Sequence, residues 1–296
     1  MINHLTILGV GLIGGSLARV LRREGACARI TGYGRSEDHL KQAVTLGVID
    51  DYSLEAGTAV KGADMVVLAT PLGTTETLLL EIRDHLKQGA LITDVGSVKG
   101  SVVDAARRSL ARDQLGFFIP GHPIAGTEQS GVAASFADLF QDHLVILTPL
   151  QQTGEKAVST VTDMWVAAGA RAVAMDVDHH DAVLAATSHL PHMLAYALVD
   201  CLAGMQEREE IFAYAAGGFT DFTRIASSSP RMWNDICYAN RENMLRILDE
   251  FDKHLKKIHQ AIASESSTAL LEIFSRAKEA RDKFTRQRSA AENAPE

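Results

Sequence analysis

The sequence predicts an α/β fold, in which an N-terminal doubly wound parallel sheet is followed by an all-helical domain. Short apolar runs alternate with helical patterns in the first part of the chain, which is the pattern of repeated βαβ units. A glycine-rich loop directly follows the first strand. After residue 177 the strand signals almost vanish and long helical segments take their place. With 296 residues, two domains are expected, at 1–176 and 177–296.

The first strands and helices are expected in pairs, each strand being followed by its helix. The pairs are His4–Gly9 with Ser16–Arg23, Ala28–Gly32 with Glu37–Leu46, Asp64–Thr70 with Thr75–Leu86, and Ala90–Asp94 with Ser101–Leu110. Further strands are expected at Gly116–Ile119, Leu144–Thr148 and Arg171–Met175, with a helix over 154–168 between the last two. We therefore expect the sheet to continue to about Met175.

The second domain is predicted from the long helices Asp181–Met205 and Met232–Ala263. Apolar residues alternate at spacings of four and three along the second of these helices, which predicts an apolar stripe. The stripe consists of Met244, Leu248, Phe251, Leu255, Ile258 and Ile262. It needs a partner, either another helix of the same domain or a second copy in a homodimer. The polar tail beyond about Lys283 is expected to be frayed.

Composition excludes several classes of protein. The net charge of −8 argues against a nucleic-acid partner, which normally requires clustered Lys and Arg. No apolar stretch approaches the ~18 to 20 residues of a membrane span, and the N-terminus lacks a charged leader, so neither secretion nor membrane insertion is expected. Three widely spaced cysteines give neither a disulfide framework nor a metal site, and a cytoplasmic location is expected.

The loop Gly9-Val10-Gly11-Leu12-Ile13-Gly14 lies between the first strand and its helix, the position of a dinucleotide-binding fingerprint of the Rossmann type. Gly9 permits the turn, Gly11 lets the backbone approach a pyrophosphate, and Gly14 lets helix and strand pack closely. Cofactor contacts are predicted for Gly9, Gly11, Leu12, Ile13, Gly14, Arg35, Ser36, Thr70 and Pro71.

The end of the second strand bears on the choice of cofactor. Gly34 stands where an acid would hold the ribose 2′-hydroxyl of NAD, while Arg35 and Ser36 offer donors for a 2′-phosphate. NADP is therefore slightly preferred over NAD. The alternative is that Arg35 stacks on the adenine of NAD.

Two loops after strands carry side chains suited to catalysis. His122, in a loop made rigid by prolines and glycines, is a candidate base, although a lone histidine is weak evidence. Ser97 is either a functional residue or a helix cap, and Ser101 is favoured as a cap.

The helical part contributes candidate ligand-binding residues. His189 and His192 lie one helical turn apart, but without thiolate or carboxylate ligands at suitable spacing they make a poor metal site, and no metal is expected. Arg224 is suited to clamp a carboxylate, or alternatively to pair with Asp221.

Five segments, in order and spanning nearly the whole chain, resemble the prephenate/arogenate dehydrogenase family. They are the loop 9–15, Asp94-Val-Gly-Ser-Val-Lys99, Gly121-His-Pro-Ile-Ala-Gly-Thr127, Ser188-His-Leu-Pro-His192, and Gly218-Phe-Thr-Asp-Phe-Thr-Arg224. The resemblance implies a Rossmann domain with a helical dimerisation domain. It also implies oxidative decarboxylation of prephenate to 4-hydroxyphenylpyruvate in tyrosine biosynthesis, or of arogenate to tyrosine, with hydride transfer to NAD(P)⁺.

The resemblance also implies roles for individual residues. His122 would accept a hydrogen bond from the ring hydroxyl of the substrate, and Ser97 would help to orient His122 near the nicotinamide. Substrate contacts are implied for His189, Arg224, Thr127, Ser228 and Trp233, with Arg224 on a carboxylate. A β-hydroxyacid-type dehydrogenase is the alternative, but no lysine motif of that kind stands out in the helical part.

Overall fold

The computed structural model describes residues 1–292 as an α/β sheet region followed by helices. The strands are β1 (Ile2–Leu8), β2 (Cys27–Tyr33), β3 (Asp51–Ser53), β4 (Met65–Leu68), β5 (Leu91–Asp94), β6 (Phe118–Ile119), β7 (Gly121–Pro123), β8 (Leu144–Leu147) and β9 (Arg171–Ala174). The helices of the sheet region are α1 (Leu12–Arg23), α2 (Glu37–Thr45), α3 (Ala56–Ala59), α4 (Thr75–Ile82), α5 (Lys99–Ser109) and α6 (Glu155–Ala167). The predicted α/β class is confirmed.

Six strands form one parallel sheet in the order β3-β2-β1-β4-β5-β6, the doubly wound order. Successive side chains of a strand point to opposite faces, and each face carries its own core. Leu5 and Ile7 of β1 pack with residues of α1, α2 and α6 on one face, whereas Leu8 packs with residues of α3, α4 and α5 on the other. The carboxyl ends of β1, β4 and β5 therefore meet at one edge.

The expectation that this sheet continues to Met175 is wrong. The strands β7, β8 and β9 form a separate sheet, with β7 antiparallel and β9 parallel to β8. The break falls at Pro120, which lacks the N–H needed to extend the pairing of β6. Its consequence is that His122 lies on a strand of the second sheet, opposite Ile146, and is held more rigidly than a loop residue.

The helices after β9 begin with α7 (Val177–Leu184), which continues through a π-helical turn (Ala185–His189) into α8 (Leu190–Ala203). The remaining helices are α9 (Arg208–Ala213), α10 (Gly217–Thr223), α11 (Pro230–Ala239), α12 (Arg241–Ala263) and α13 (Ser267–Glu292). The predicted single helix Asp181–Met205 is thus two helices joined by a π turn, with Pro191 in the first turn of α8. Wide turns of this kind are frequent at functional sites.

The segment Val177–Ala203 is long and apolar enough to meet the length and composition of a membrane span, and only 22% of its most apolar part is buried. The expectation that no stretch approaches such a composition is therefore wrong. One helix of this kind is weak evidence for a membrane, because helices at protein interfaces have the same composition.

By its contacts the chain divides into two compact units, Met1–Met244 and Leu245–Glu296. The helices α7 to α11 belong to the first unit, and α7 packs against α5. The division after residue 176, which follows the change from mixed to all-helical structure, stays a prediction.

The C-terminal residues differ from their predicted frayed state as far as the structure describes them. From Lys283 to Glu292 the chain continues α13 as helix. Residues 293–296 of the predicted frayed tail lie outside the described residues.

Candidate active site

The loop between β1 and α1 has the shape that a dinucleotide requires. Gly9 has φ +102°, and a Cβ there would lie 2.5 Å from the carbonyl oxygen of Ala69, so only glycine fits. A Cβ on Gly14 would overlap the carbonyl oxygen of Gly9. A Cβ on Gly11, in contrast, would meet nothing within 4 Å, so this face of the loop is open.

The helix that follows this loop leaves its first amides available. Gly11 is the N-cap of α1 and supplies no side-chain hydrogen bond, so the N–H groups of Leu12 and Ile13 keep the partial positive charge of an uncapped helix N-terminus. Backbone N–H groups beside an open glycine face are the usual site for a pyrophosphate. The residues present therefore fit a dinucleotide cofactor.

The other predicted cofactor residues border the same edge. Thr70 and Pro71 follow β4, and the Thr70 methyl group would lie 2.9 Å from a Cβ placed on Gly9. Arg35, beyond the end of β2, is exposed, and the described side chains of residues 1–287 include no ion-pair partner for it. Ser36 caps α2 by accepting a hydrogen bond from the His39 N–H at 3.4 Å.

His122 is the centre of a buried cluster at the same edge of the sheet. It is 8% exposed, and its Nδ1 lies 2.9 Å from Nε2 of His180. Burial lowers the pKa of His122 well below 6.5, and the charges of Lys99, His180 and His189 lower this pKa further. The imidazole is therefore neutral at neutral pH, and its Nε2 makes no hydrogen bond within the described chain.

His180 is in turn held by Asp181, since its Nδ1 donates to Asp181 Oδ1 at 2.7 Å. Asp181 also accepts hydrogen bonds from the backbone N–H groups of Lys99 and Gly100, each at 2.8 Å. Burial opposes ionisation of Asp181, but these hydrogen bonds outweigh it and lower the pKa of the carboxyl group. Asp181 is therefore an ionised acceptor.

The same contacts correct the predicted start of α5. The helix begins at Lys99 after the N-cap Val98, and Ser101 is not its cap, because its hydroxyl donates to the Val98 carbonyl at 3.3 Å. The capping oxygens come instead from Asp181, in a distant part of the sequence. Ser97 precedes the N-cap and has no hydrogen bond with His122 within residues 1–292, so its orienting role stays a prediction.

A buried ion pair lies directly below His122. Lys99 is fully buried, and its Nζ donates to Asp94 at the end of β5 and, at 2.6 Å, to the carbonyl oxygen of Gly121. Asp94 also accepts from the backbone N–H groups of Gly96 at 2.7 Å and Gly121 at 3.1 Å. These bonds fix the end of β5 to the residue that precedes His122.

His189, in the π turn, is connected to this cluster through Asn240 of α11's C-terminal end. The Asn240 amide donates to the carbonyl oxygen of Asp181 at 2.8 Å and to His189 Nδ1 at 3.3 Å. Burial lowers the pKa of His189 to about 4, so the ring is neutral and carries its proton on Nε2. That Nε2 is buried and has no partner within the described chain. His189 thus presents an unused hydrogen-bond donor.

Trp233 packs between the two histidines of the Ser188–His192 segment. Its ring lies 5.9 Å from the His189 ring and stacks on the His192 ring at 3.8 Å. His192 donates from Nδ1 to the Ser188 carbonyl at 2.8 Å. The two histidines are therefore oriented by separate hydrogen-bond partners.

Arg224 is exposed, and its guanidinium donates to Glu128 at 3.3 Å rather than to Asp221, the partner considered from the sequence. Burial lowers the pKa of His192, and the charge of Arg224 lowers it further. Thr127, next to Glu128, is exposed and accepts a hydrogen bond from the Gln129 N–H at 3.2 Å. Ser228 contributes its carbonyl oxygen to the Tyr196 hydroxyl at 2.6 Å.

Sequence reasoning missed several members of the cluster. It gave no role to His180, Asp181, Asn240 or Glu128, and it quoted Asp94 and Lys99 without a function. The consecutive His179, His180 and Asp181 offered a signal, because three titratable residues at the start of an otherwise apolar helix need an explanation.

The chain matches two family models. The model described as prephenate dehydrogenase, nucleotide-binding domain, covers residues 17–174, and the model described as prephenate dehydrogenase, dimerization domain, covers residues 176–276. Two relatives align along most of this chain. Cyclohexadienyl dehydrogenase of Zymomonas mobilis is 40% identical over 94% of this chain and 95% of its own, and prephenate dehydrogenase of Bacillus subtilis is 39% identical over 95% and 76%.

Solved structures agree. Prephenate dehydrogenase of Aquifex aeolicus, in complex with hydroxyphenyl propionate and NAD⁺, has a TM-score of 0.89 and 37% identity, and covers 96% of this chain and 99% of its own. Arogenate dehydrogenase of Synechocystis has a TM-score of 0.79 and 27% identity, covering 95% and 99%. The resemblance predicted from the five segments is confirmed, as is a Rossmann domain followed by a helical dimerisation domain. The chain belongs to the prephenate dehydrogenase family.

Proposed function

We propose that this protein catalyses the oxidative decarboxylation of prephenate to 4-hydroxyphenylpyruvate, with hydride transfer to a nicotinamide cofactor. The observation that carries the proposal is His122, a buried neutral imidazole with an unused Nε2 at the edge of the sheet where the cofactor loop lies. Relatives with prephenate or cyclohexadienyl dehydrogenase in their names support the substrate class.

His122 is the proposed base. Prephenate carries a hydroxyl and a hydrogen on one ring carbon, and a carboxylate on the opposite quaternary carbon. The bound nicotinamide supplies the acceptor for the hydride. As the hydride leaves, the hydroxyl proton moves towards His122 Nε2, and the electron pair of the breaking carbon–carboxylate bond enters the ring. Carbon dioxide leaves and the ring becomes aromatic, which makes the step favourable. The proton then returns from His122 to the phenolate oxygen and gives the hydroxyl of 4-hydroxyphenylpyruvate. Ser97 is proposed to help hold His122 near the nicotinamide.

His189 is proposed to bind an oxygen of the substrate. A buried N–H without a partner costs about 1–3 kcal/mol, a cost that a ligand oxygen would remove. A carboxylate or carbonyl oxygen is the matching acceptor, since the neutral ring donates from Nε2. Trp233, which makes a T-shaped contact with His189 and stacks on His192, would cover the ring of the substrate, with Thr127 and Ser228 at the border of the pocket.

Arg224 is proposed to hold a substrate carboxylate. Its guanidinium pairs with the carboxylate of Glu128, which supports a carboxylate as the group that it binds. A two-pronged arginine–carboxylate contact has a fixed orientation and would align the ring for hydride transfer. Binding of the substrate would then replace Glu128 at Arg224.

Prephenate is proposed over arogenate because the more similar relatives are named for prephenate or for the cyclohexadienyl class, whereas the arogenate dehydrogenase is 27% identical. NADP is proposed over NAD, because Gly34 replaces the usual acid and Arg35 is free of ion pairs in the described chain. The free state of Cys27, Cys201 and Cys237 supports a reducing cytoplasm as the location.

Steady-state rates with prephenate or arogenate, each with NAD⁺ or NADP⁺, test the proposal. We expect the largest kcat/KM with prephenate and NADP⁺, and a product that absorbs as 4-hydroxyphenylpyruvate. A larger kcat/KM with arogenate would contradict the choice of substrate, and a larger value with NAD⁺ would contradict the choice of cofactor. Reduction of neither cofactor by either substrate would reject the proposed function altogether.

A further inference from the structure

Three buried side chains from two separate parts of the fold form one hydrogen-bonded row. His122 comes from β7, whereas His180 and Asp181 come from α7. The row runs from His122 Nδ1 to His180 Nε2 at 2.9 Å and from His180 Nδ1 to Asp181 Oδ1 at 2.7 Å. His180 is fully buried. Among the described residues, its two ring nitrogens have no hydrogen-bond partner other than these neighbours.

The proton positions along the row follow from its fixed end. Asp181 accepts the N–H groups of Lys99 and Gly100 and has no proton to give, so His180 Nδ1 must be the donor. A singly protonated His180 with its proton on Nδ1 accepts at Nε2. His122 Nδ1 must then be the donor to it, and His122 Nε2 is left with its lone pair.

We propose that His180 and Asp181 are positioning residues, which hold His122 in the tautomer with Nδ1 protonated and Nε2 free to accept the substrate's hydroxyl proton. This inference rests on the proposed function of His122. In the opposite tautomer Nε2 would carry a hydrogen, and His122 could not act as a base. The row therefore selects the reactive form of the ring before the substrate arrives.

The row also has a role once the proton moves. When His122 Nε2 accepts the hydroxyl proton, the ring becomes a cation, and its Nδ1–H continues to donate to His180. The negative charge of Asp181, two hydrogen bonds away, stabilises that cation, as an orienting carboxylate does in other enzymes with a histidine base. No further proton transfer along the row is required.

The charged and titratable groups around His122 are few within the described chain. Lys99 faces it from α5, His180 and Asp181 from α7, and His189 from the π turn. The amino group of Lys99 opposes protonation of His122. The carboxylate of Asp181 is the anion joined to His122 through the row.

Substitutions at His180 test the proposal. His180→Gln places an amide oxygen near the position of Nε2 and keeps an acceptor for His122, whereas His180→Phe keeps the ring volume and removes the acceptor. We expect kcat to fall at least ~10-fold in His180→Phe, within the ~10² to 10⁴ range of a general base, while KM and cofactor affinity change less than ~3-fold. His180→Gln should restore most of kcat. His179→Phe, at the exposed neighbour on the same helix, is the matched control and should behave as wild type.

Nitrogen-15 NMR of histidine-labelled free protein gives a readout that needs no catalysis. We expect His122 to show a protonated Nδ1 and an unprotonated Nε2 at pH 7, and to become a mixture of tautomers in His180→Phe. Its signal is assigned by its loss in His122→Asn. A protonated Nε2 in the wild type would overturn the proposal, as would an unchanged kcat in a folded His180→Phe variant whose isotope effect shows that hydride transfer limits the rate. If the wild type oxidises neither substrate, the proposed function fails, while the NMR result still decides the tautomer.

Discussion

Lys99 and Asp94 form an ion pair inside the protein, with side chains that are 0% and 3% exposed. Burial lowers the pKa of Lys99, and the charge of Asp94 opposes that shift. The pair joins the end of β5 to Gly121, the residue before His122. It therefore ties the sheet edge that carries the cofactor loop to the strand that carries the proposed base.

Removing one member of this pair should destabilise the fold strongly. In Lys99→Met the Asp94 carboxylate stays buried with only backbone donors, and we expect a loss of ~3 to 5 kcal/mol in the free energy of unfolding. The double variant Lys99→Met with Asp94→Asn should lose less free energy of unfolding than the two single variants lose together. The reason is that no unpaired charge remains buried. Urea unfolding at pH 7 measures all four proteins, and strictly additive losses would contradict the pairing.

The parts of the structure that sequence could predict are those set by local pattern. The βαβ rhythm follows from runs of apolar residues, and the glycine loop follows from its position between β1 and α1. Cofactor and catalytic segments at the ends of parallel strands follow from the same topology, because these ends share one edge of the sheet.

The remaining parts depend on contacts between distant segments. Asp181 caps α5 across 82 residues, which no local pattern around Ser101 reveals. His179 and His180 are equivalent in sequence, yet the first is exposed and the second is fully buried, because only one faces β7 and α5. The separate sheet of β7, β8 and β9 depends on the pairing of strands only three or four residues long, which sequence does not fix.

Acid should destabilise the protein through its buried histidines. The pKa of His189 is about 4 in the folded protein, because burial disfavours its charge, whereas a histidine in the unfolded chain titrates near 6.5. The unfolded state therefore binds more protons between these pH values, and stability is lost as the pH falls from 6.5 to about 4. For His189 this amounts to roughly 3 kcal/mol.

Chemical unfolding at pH 7, 6 and 5 measures this loss. In His189→Gln the free energy of unfolding should depend less on pH than it does in wild type. In His143→Gln, at an exposed histidine, it should depend on pH as it does in wild type. Parallel curves for His189→Gln and wild type would contradict the assigned cause.

Arg35 should decide affinity for the 2′-phosphate. If its guanidinium binds that group, Arg35→Ala weakens NADP⁺ by roughly 1.5 to 3 kcal/mol, the range of a hydrogen bond to a charged group, and leaves NAD⁺ nearly unchanged. Titration of each cofactor by fluorescence or calorimetry measures the two affinities. Equal losses for NAD⁺ and NADP⁺ would support stacking on the adenine instead.

The apolar stripe of α12 and the segment 181–205 should lie in the homodimer interface. Leu255 and Ile262 of the stripe are 53% and 61% exposed in a single chain, more than such side chains usually are. We expect Leu255→Glu to shift the light-scattering mass from dimer towards monomer. Lys257→Glu, an exposed position off the stripe, should leave the dimer intact. A wild-type monomer mass that does not change with concentration would reject this interface.

Substitution of His122 and substitution of Arg224 should change different kinetic constants. The hydrogen bond to His122 strengthens as the ring hydroxyl becomes a carbonyl, so His122→Asn should lower kcat strongly with little change in KM. In the wild type the acidic limb of the rate profile should lie well below pH 6.5, because burial lowers the pKa of this imidazole, and the limb should disappear in His122→Asn. An unchanged kcat under conditions where an isotope effect shows that hydride transfer limits the rate would remove His122 as the base.

Arg224 acts in the bound ground state, so Arg224→Ala should raise KM by roughly 10- to 100-fold, equivalent to ~1.5 to 3 kcal/mol for a charged hydrogen bond. Its kcat falls too if the ring is misplaced for hydride transfer.

A ring analogue without the carboxylate on the quaternary carbon identifies the bound group. It should bind wild type and Arg224→Ala about equally if Arg224 holds that carboxylate. A persisting difference would mean that Arg224 contacts the side-chain carboxylate of the substrate, or that its bond with Glu128 only supports the loop. Glu128→Gln separates these two outcomes. If the bond to Glu128 only supports the loop, its loss should raise KM as Arg224→Ala does. If Glu128 competes with a substrate carboxylate for Arg224, its loss should lower KM.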